Sequence, residues 1–226
     1  MLFRSKIDTY LKSAETLANL GYTVFRMGAI VEEPLASKHS QVIDYATNGM
    51  RTELLDIYLG AHCTFAISTA AGWDSVPTIF RRPIVFTNAQ PTFAPSILCL
   101  PCLIYPKQFF DLKNKKLLSL NSLIDQNLAK ADDQIRLRQN GKVVNNPEEI
   151  GLELRGLTSE ELVEAVTEMA QRVEGTFVET PEQKEMQAKL KHILSTHPKL
   201  QPSPNYYPIR AQFASCFLSR YPKFLD

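Results

Sequence analysis

The stretch CTFAISTAAGWDSVPTIFRRPIVFTN, Cys63 to Asn88, decides how this chain folds. CTFAIS (63–68) is an apolar run that predicts a buried strand, GWDSVPTIF (72–80) predicts a short helix, and PIVFTN (83–88) predicts the next strand. Between the first strand and the helix stand Ser68, Thr69, Ala70, Ala71 and Gly72, followed at once by the single tryptophan, Trp73, and by Asp74. Small side chains at a strand's end give up packing, so the room they leave needs a purpose.

The same alternation extends outward. Upstream, Ser5 predicts an N-cap with Asp8 three residues on, and Ile7, Tyr10, Leu11, Ala14, Leu17 and Ala18 mark one helical face that Gly21 ends. YTVFRMG (22–28) and QVIDYA (41–46) predict strands on either side of a polar loop, and RTELLDIYLGA (51–61) a helix with Leu54, Leu55 and Tyr58 inward. CLIY (102–105) adds a fifth strand. Strands alternating with helices imply an α/β fold: a Rossmann-like parallel sheet with helices on both faces, which binds ligands at the carboxyl ends of its strands. The expected organisation is a Rossmann-like core over 1–110, with 111–226 supplying surface excursions and a helical C-terminal region packed on the same domain.

That later part has clear punctuation. RQNGKVVNNPEE (138–149) is turn-rich. Thr158 with Glu161, and Thr180 with Pro181 and Gln183, spell capping boxes for two strong helices. QPSPNYYP (201–208) predicts a stiff connector to a last helix over 209–226.

Composition removes several classes of function. Twenty-five Lys plus Arg face 24 Asp plus Glu with no basic block, so no nucleic-acid partner is expected. The opening MLFRSKIDTY turns polar too soon for a signal peptide, and the uncharged run Pro83–Pro106 holds five prolines, which suits strand and loop better than a membrane span. Cys99 and Cys102 form a lone CxxC without a second pair or a nearby histidine, and His39, His62, His192 and His197 show no metal spacing. Reduced thiols, no metal, no cofactor and a cytoplasmic location are the expectation.

Two readings of the small-residue turn stay open. Free backbone N–H groups and the helix dipole make an anion site where a strand passes into a helix, and Ser68 and Thr69 would add hydroxyl donors for a diphosphate. Alternatively, the small residues allow close packing of helix on sheet. The turn matches neither a P-loop nor a dinucleotide fingerprint. Arg26 ends the first strand on the expected rim, where its guanidinium could grip a phosphate or pair with Glu32 or Glu33. Asp44 could bind ribose or sugar hydroxyls or cap a turn, and Tyr45 could stack on a base or pack. Asn88 could meet ligand or serve as a turn former. Trp73 could shield the site or fill core, and Asp74 could bind donor hydroxyls or stabilise its helix onset.

Taken together, RSKIDTYLKSAETLANLGYTVFRMG (4–28), VIDYATNGMRTELLDIYLGAHCTFAISTAAGWDSVPTIFRRPIVFTN (42–88) and the later NPEEI and EMAQRVEGTF segments resemble the C-terminal part of a family of bacterial glycosyltransferases of surface-polysaccharide gene clusters. The resemblance implies the C-terminal half of a GT-B architecture, two Rossmann-like domains facing across a cleft, with this half holding a nucleotide-sugar donor. It implies diphosphate contacts at Ser68, Thr69 and Gly72 and an arginine contact at Arg26, with Asp44, Tyr45, Asp74 and Asn88 touching base, ribose or sugar. The acceptor would be a surface glycan or a lipid-linked acceptor, with the chain itself cytoplasmic or peripheral at the inner face of the membrane. Family members carry a further N-terminal domain that supplies the acceptor site and the catalytic base, which this chain lacks on that reading. A partner domain, self-association, or a non-catalytic nucleotide-sugar-binding module are the corresponding expectations.

Overall fold

A computed structural model of the chain describes residues 6–70, 72–89, 100–126, 128, 137–139, 142–144, 146–200 and 209–226. Among these the fold is mixed α/β, with seven helices and a four-stranded parallel sheet. The sheet contains β3 (Ala66–Ser68), β4 (Ile84–Ala89), β5 (Leu103–Pro106) and β11 (Gln212–Phe213), in the order β11-β5-β4-β3. Ile84, Val85, Leu103, Ile104 and Tyr105 are at most 1% exposed, as strands covered on both faces require.

The chain divides into two compact units, one of Ser5–Val85 with Leu157–Phe177, the other chiefly of Phe86–Gly156 with Val178–Asp226. In the first unit, α1 (Asp8–Asn19) packs on α5 (Ser159–Glu174), although nearly the whole unit separates them in sequence. Ala14, Leu17 and Ala18 form the buried face of α1, and Leu162, Ala165, Val166 and Met169 that of α5. Amphipathic spacing announces each face but cannot say which face meets which.

The first two strands depart from expectation. β1 (Val24–Phe25) and β2 (Val42–Ile43) pair in parallel with Val24 opposite Val42, and they form their own two-stranded ladder. Phe25 is 38% exposed, so this ladder is not the twice-covered sheet interior that its apolar residues suggested.

α2 (Glu53–His62) is where expected, N-capped by Thr52, whose hydroxyl accepts from Leu55 N at 3.1 Å. Its orientation is not as expected. Leu54 and Tyr58 are 78% and 54% exposed, and the buried residues are Gly60 and Ala61. The cause is Gly60: a Cβ there would stand 2.7 Å from Val76 Cγ1 and 3.2 Å from Trp73 Cζ2. The lack of a side chain lets α3 (Ser75–Ile79) and its preceding turn sit directly on the α2 backbone, and this contact fixes the face.

In the second unit β6 (Gln108–Asp111) pairs antiparallel with β7 (Lys116–Leu117) and β10 (Leu152–Arg155). The turn-rich segment forms an antiparallel hairpin of β8 (Leu137–Gln139) and β9 (Lys142–Val144), with Leu137 opposite Val144. α4 (Leu120–Asp125) follows β7. α6 (Pro181–Thr196) presents Gln187, whose buried amide donates to Phe213 O at 2.6 Å and accepts from Phe213 N at 3.3 Å, tying the helix to β11.

Both capping boxes form as the sequence specifies. Thr158 Oγ1 accepts from Glu161 N at 3.2 Å while Glu161 Oε2 accepts from Thr158 N at 2.8 Å, and Thr180 and Gln183 repeat the exchange. The last helix, α7 (Ser215–Arg220), is shorter than expected. Pro222 cannot continue it, and a 3-10 turn, Pro222–Leu225, folds Phe224 onto Phe217 with ring centroids 5.0 Å apart. Ser5, Cys99 and the connector 201–208 lie outside the described residues.

Candidate functional site

The turn after β3 is built around Ser68. Its side chain donates to Asp74 Oδ2 at 3.0 Å and accepts from Ala70 N at 3.1 Å, so one hydroxyl closes the bend from both ends. The bend is tight enough to place Ala70 at φ 60°, a left-handed conformation that costs an L-residue roughly 1–2 kcal/mol. A 3-10 turn over Gly72–Asp74 then leads into the five residues of α3. Ala71 lies outside the described residues.

Thr69 and Gly72 face outward and are exposed, whereas Ser68 is 8% exposed. Among the described residues, its chain neighbours aside, no atom lies within 4 Å of where a Cβ on Gly72 would stand, and its φ is not in the left-handed range. Neither packing nor backbone strain therefore requires glycine at 72. Close packing accounts for Gly60, which the sequence reading did not single out; a glycine inside a helix was the available signal.

Asp74 is half-buried beside this bend. Burial pushes its carboxyl above the ordinary 3.8, against the opposing pull of the Ser68 hydroxyl and the N–H groups of Asp74 and Ser75. Trp73 lies with its ring against Gly60, and its buried Nε1 has no hydrogen-bond partner among the described residues. The same holds for Asp56 Oδ1 on α2, whose other oxygen takes Arg51 Nη2 at 2.8 Å.

Arg26 and Asp44 meet each other. Arg26 Nη1 donates to Asp44 Oδ1 at 3.0 Å and Nη2 to the Glu33 carbonyl at 3.0 Å. Asp44 Oδ2 accepts from Leu35 N at 2.9 Å and Thr47 Oγ1 at 2.6 Å. Both side chains are largely buried, at 10% and 13% exposure. Burial would raise the Asp44 carboxyl, but the Thr47 hydroxyl, the Leu35 amide and the guanidinium outweigh it and hold it below 3.8. The guanidinium expected to grip a phosphate is thus engaged by a carboxylate. The acidic partner is Asp44, and Glu33 takes part through its backbone carbonyl. Arg26 also follows β1, in a separate ladder from the sheet that Ser68 belongs to.

Tyr45 is core. It is 1% exposed, its hydroxyl accepts from Thr52 N at 3.0 Å and donates to Thr52 O at 3.3 Å, and so it ties the end of β2 to the cap of α2. A base could not stack on a ring with no open face. Asn88, near the end of β4, adopts φ 53°, which asparagine tolerates better than most residues. Its Oδ1 stands 2.9 Å from where a Cβ on Gly156 would be.

Among the described residues no group of three His, Cys, Asp or Glu side chains could hold a metal ion, and no helix is long and apolar enough to cross a membrane. No family model, no curated protein and no solved structure matches the chain.

Proposed function

We propose that this chain is the nucleotide-sugar-binding part of a glycosyltransferase, with the donor's diphosphate seated on the turn from Ser68 to Asp74. The observation that carries the reading is the open ground at Gly72: among the described residues neither a neighbouring atom nor the backbone requires glycine there, three positions after the exposed Thr69 and past the end of a parallel strand. Ser68 and Asp74 act as the brace that holds the bend in shape. During transfer the bond from the anomeric carbon to the diphosphate breaks as the acceptor hydroxyl forms the new bond. Charge gathers on the leaving diphosphate, where the Thr69 hydroxyl and the dipoles of the turn stabilise it. The acceptor would be a glycan or lipid-linked sugar, and the base that takes its proton is assigned to no residue of this chain.

A non-catalytic nucleotide-sugar-binding module is the second reading, and the Arg26–Asp44 pair favours it. The cation that the resemblance assigns to the leaving group is already neutralised within the protein.

A thermal-shift series with UDP, GDP, CMP, dTDP and ADP tests the shared core of both readings. One nucleotide diphosphate is expected to raise Tm selectively, by a stabilisation of about 2.7 kcal/mol at a hundredfold excess over Kd. Gly72→Val should abolish that rise by filling the open ground. If no nucleotide shifts Tm, or Gly72→Val binds like the parent, the donor site is wrong. Incubation with radiolabelled nucleotide sugars then separates the readings: hydrolysis or transfer supports the enzyme, and binding without turnover the module.

A further inference from the structure

A concavity lies wholly within the unit of Phe86–Gly156 and Val178–Asp226, lined by no residue of the nucleotide reading. It has a volume of about 560 Å³, within the range of small-molecule sites. β6, β7, the first turn of α4, the end of α7 and the 3-10 turn after it form its walls.

Its chemistry is two-sided. Phe109, Leu118, Phe217 and Phe224 line it with apolar surface, each at most 7% exposed. Lys116 and Lys223 also line it, and the Asp226 carboxylate on the same wall already meets Lys189 Nζ at 3.3 Å. The hydroxyls of Ser119 and Ser122, 3.0 Å apart at the start of α4, add polar contacts on the same wall. A neutral apolar ligand would use only the aromatic lining and would make no use of the Lys116 and Lys223 ammonium groups at its edge. A cationic ligand would be repelled. An apolar body ending in one anionic group satisfies both halves, since charge-assisted contacts to Lys or Arg are the stronger class of hydrogen bond.

We propose that this cavity binds a small amphipathic anion, an aryl or short acyl body ending in a single carboxylate or phosphate. The inference stands independently of the nucleotide reading, because it uses other residues in the other unit.

Calorimetry on the full chain tests it with octanoate and octyl phosphate, both below micelle-forming concentration, and with octanol and octylamine as comparators. One anion should bind saturably at one site per chain, and the better of the two heads identifies carboxylate or phosphate as the natural group. Octanol should bind about tenfold more weakly, and octylamine not at all. The double variant Lys116→Gln/Lys223→Gln changes exposed side chains only; Tm should stay unchanged while the anion's affinity falls to that of octanol. Leu54→Gln/Tyr58→Gln, on the exposed face of α2, should leave binding intact. Octanol binding as tightly as the anions, an unaffected lysine double variant, loss of binding in the α2 variant, or no saturable binding would each overturn the proposal.

Discussion

Gly60 and Gly72 stand twelve positions apart in the same unit and look alike in the sequence, yet their surroundings are opposite. At Gly60 the missing side chain is replaced by protein, with Val76 and Trp73 inside the space a Cβ would need. At Gly72, chain neighbours aside, the missing side chain is replaced by nothing within 4 Å among the described residues. Two carboxylates of this unit repeat the contrast: Asp44 is held by two donor groups and a guanidinium, while Asp74 is half-buried with the Ser68 hydroxyl and local backbone N–H groups but no cation. A small or acidic residue becomes a candidate for ligand contact only where the fold has not already completed its surroundings.

The sharpest way to break this comparison is to fill the closed position. Gly60→Val drives a methyl group into Val76 and the Trp73 ring, and should cost about 3 kcal/mol by overpacking, read as a lower urea midpoint with an unchanged m-value. A variant as stable as the parent would mean that α2 and α3 do not pack as described.

The carboxylates should then separate by pH. Asp44→Asn loses charge-assisted contacts and should cost about 2 kcal/mol at neutral pH. Because folding lowers the Asp44 pKa, its contribution is complete above 3.8 and fades as pH falls through the still lower folded value, so the variant should show a flatter acid limb. Asp74 has the opposite sign. Its pKa is raised by burial, so it favours the folded state most below 3.8 and that advantage is lost as pH rises through the folded value. Asp74→Asn should therefore remove a loss of stability on the alkaline side of 3.8, a smaller effect seen as a shallower slope in Tm against pH. Equal acid limbs in both variants would erase the contrast.

What was legible in the sequence was local. The capping boxes at Thr158 and Thr180 need only residues three positions apart, and both form. The strand, turn, helix and strand between Cys63 and Asn88 are likewise read from short-range pattern, and β3, α3 and β4 fall inside them to within a residue. What escaped depended on distant partners. The inward face of α2 was assigned to its large apolar residues, but the contact with α3 is set by the smallest residue on the helix. Arg26 could be placed at a strand end, whereas its partner 18 residues away depends on β1 and β2 pairing side by side. Likewise, no periodicity in α1 could name α5 as the helix that covers it.

The smallest expected effect bears most directly on function. Gly72→Val enters open space on an exposed 3-10 turn whose backbone is not in the glycine-favouring range, so stability should change by no more than about 0.5 kcal/mol. That near-silence makes the variant useful. A ligand lost from a protein that still melts at the same temperature has lost its seat rather than its fold. If Gly72→Val destabilises as strongly as Gly60→Val, the ground above the turn is filled by the protein itself, and the small residues there serve packing after all.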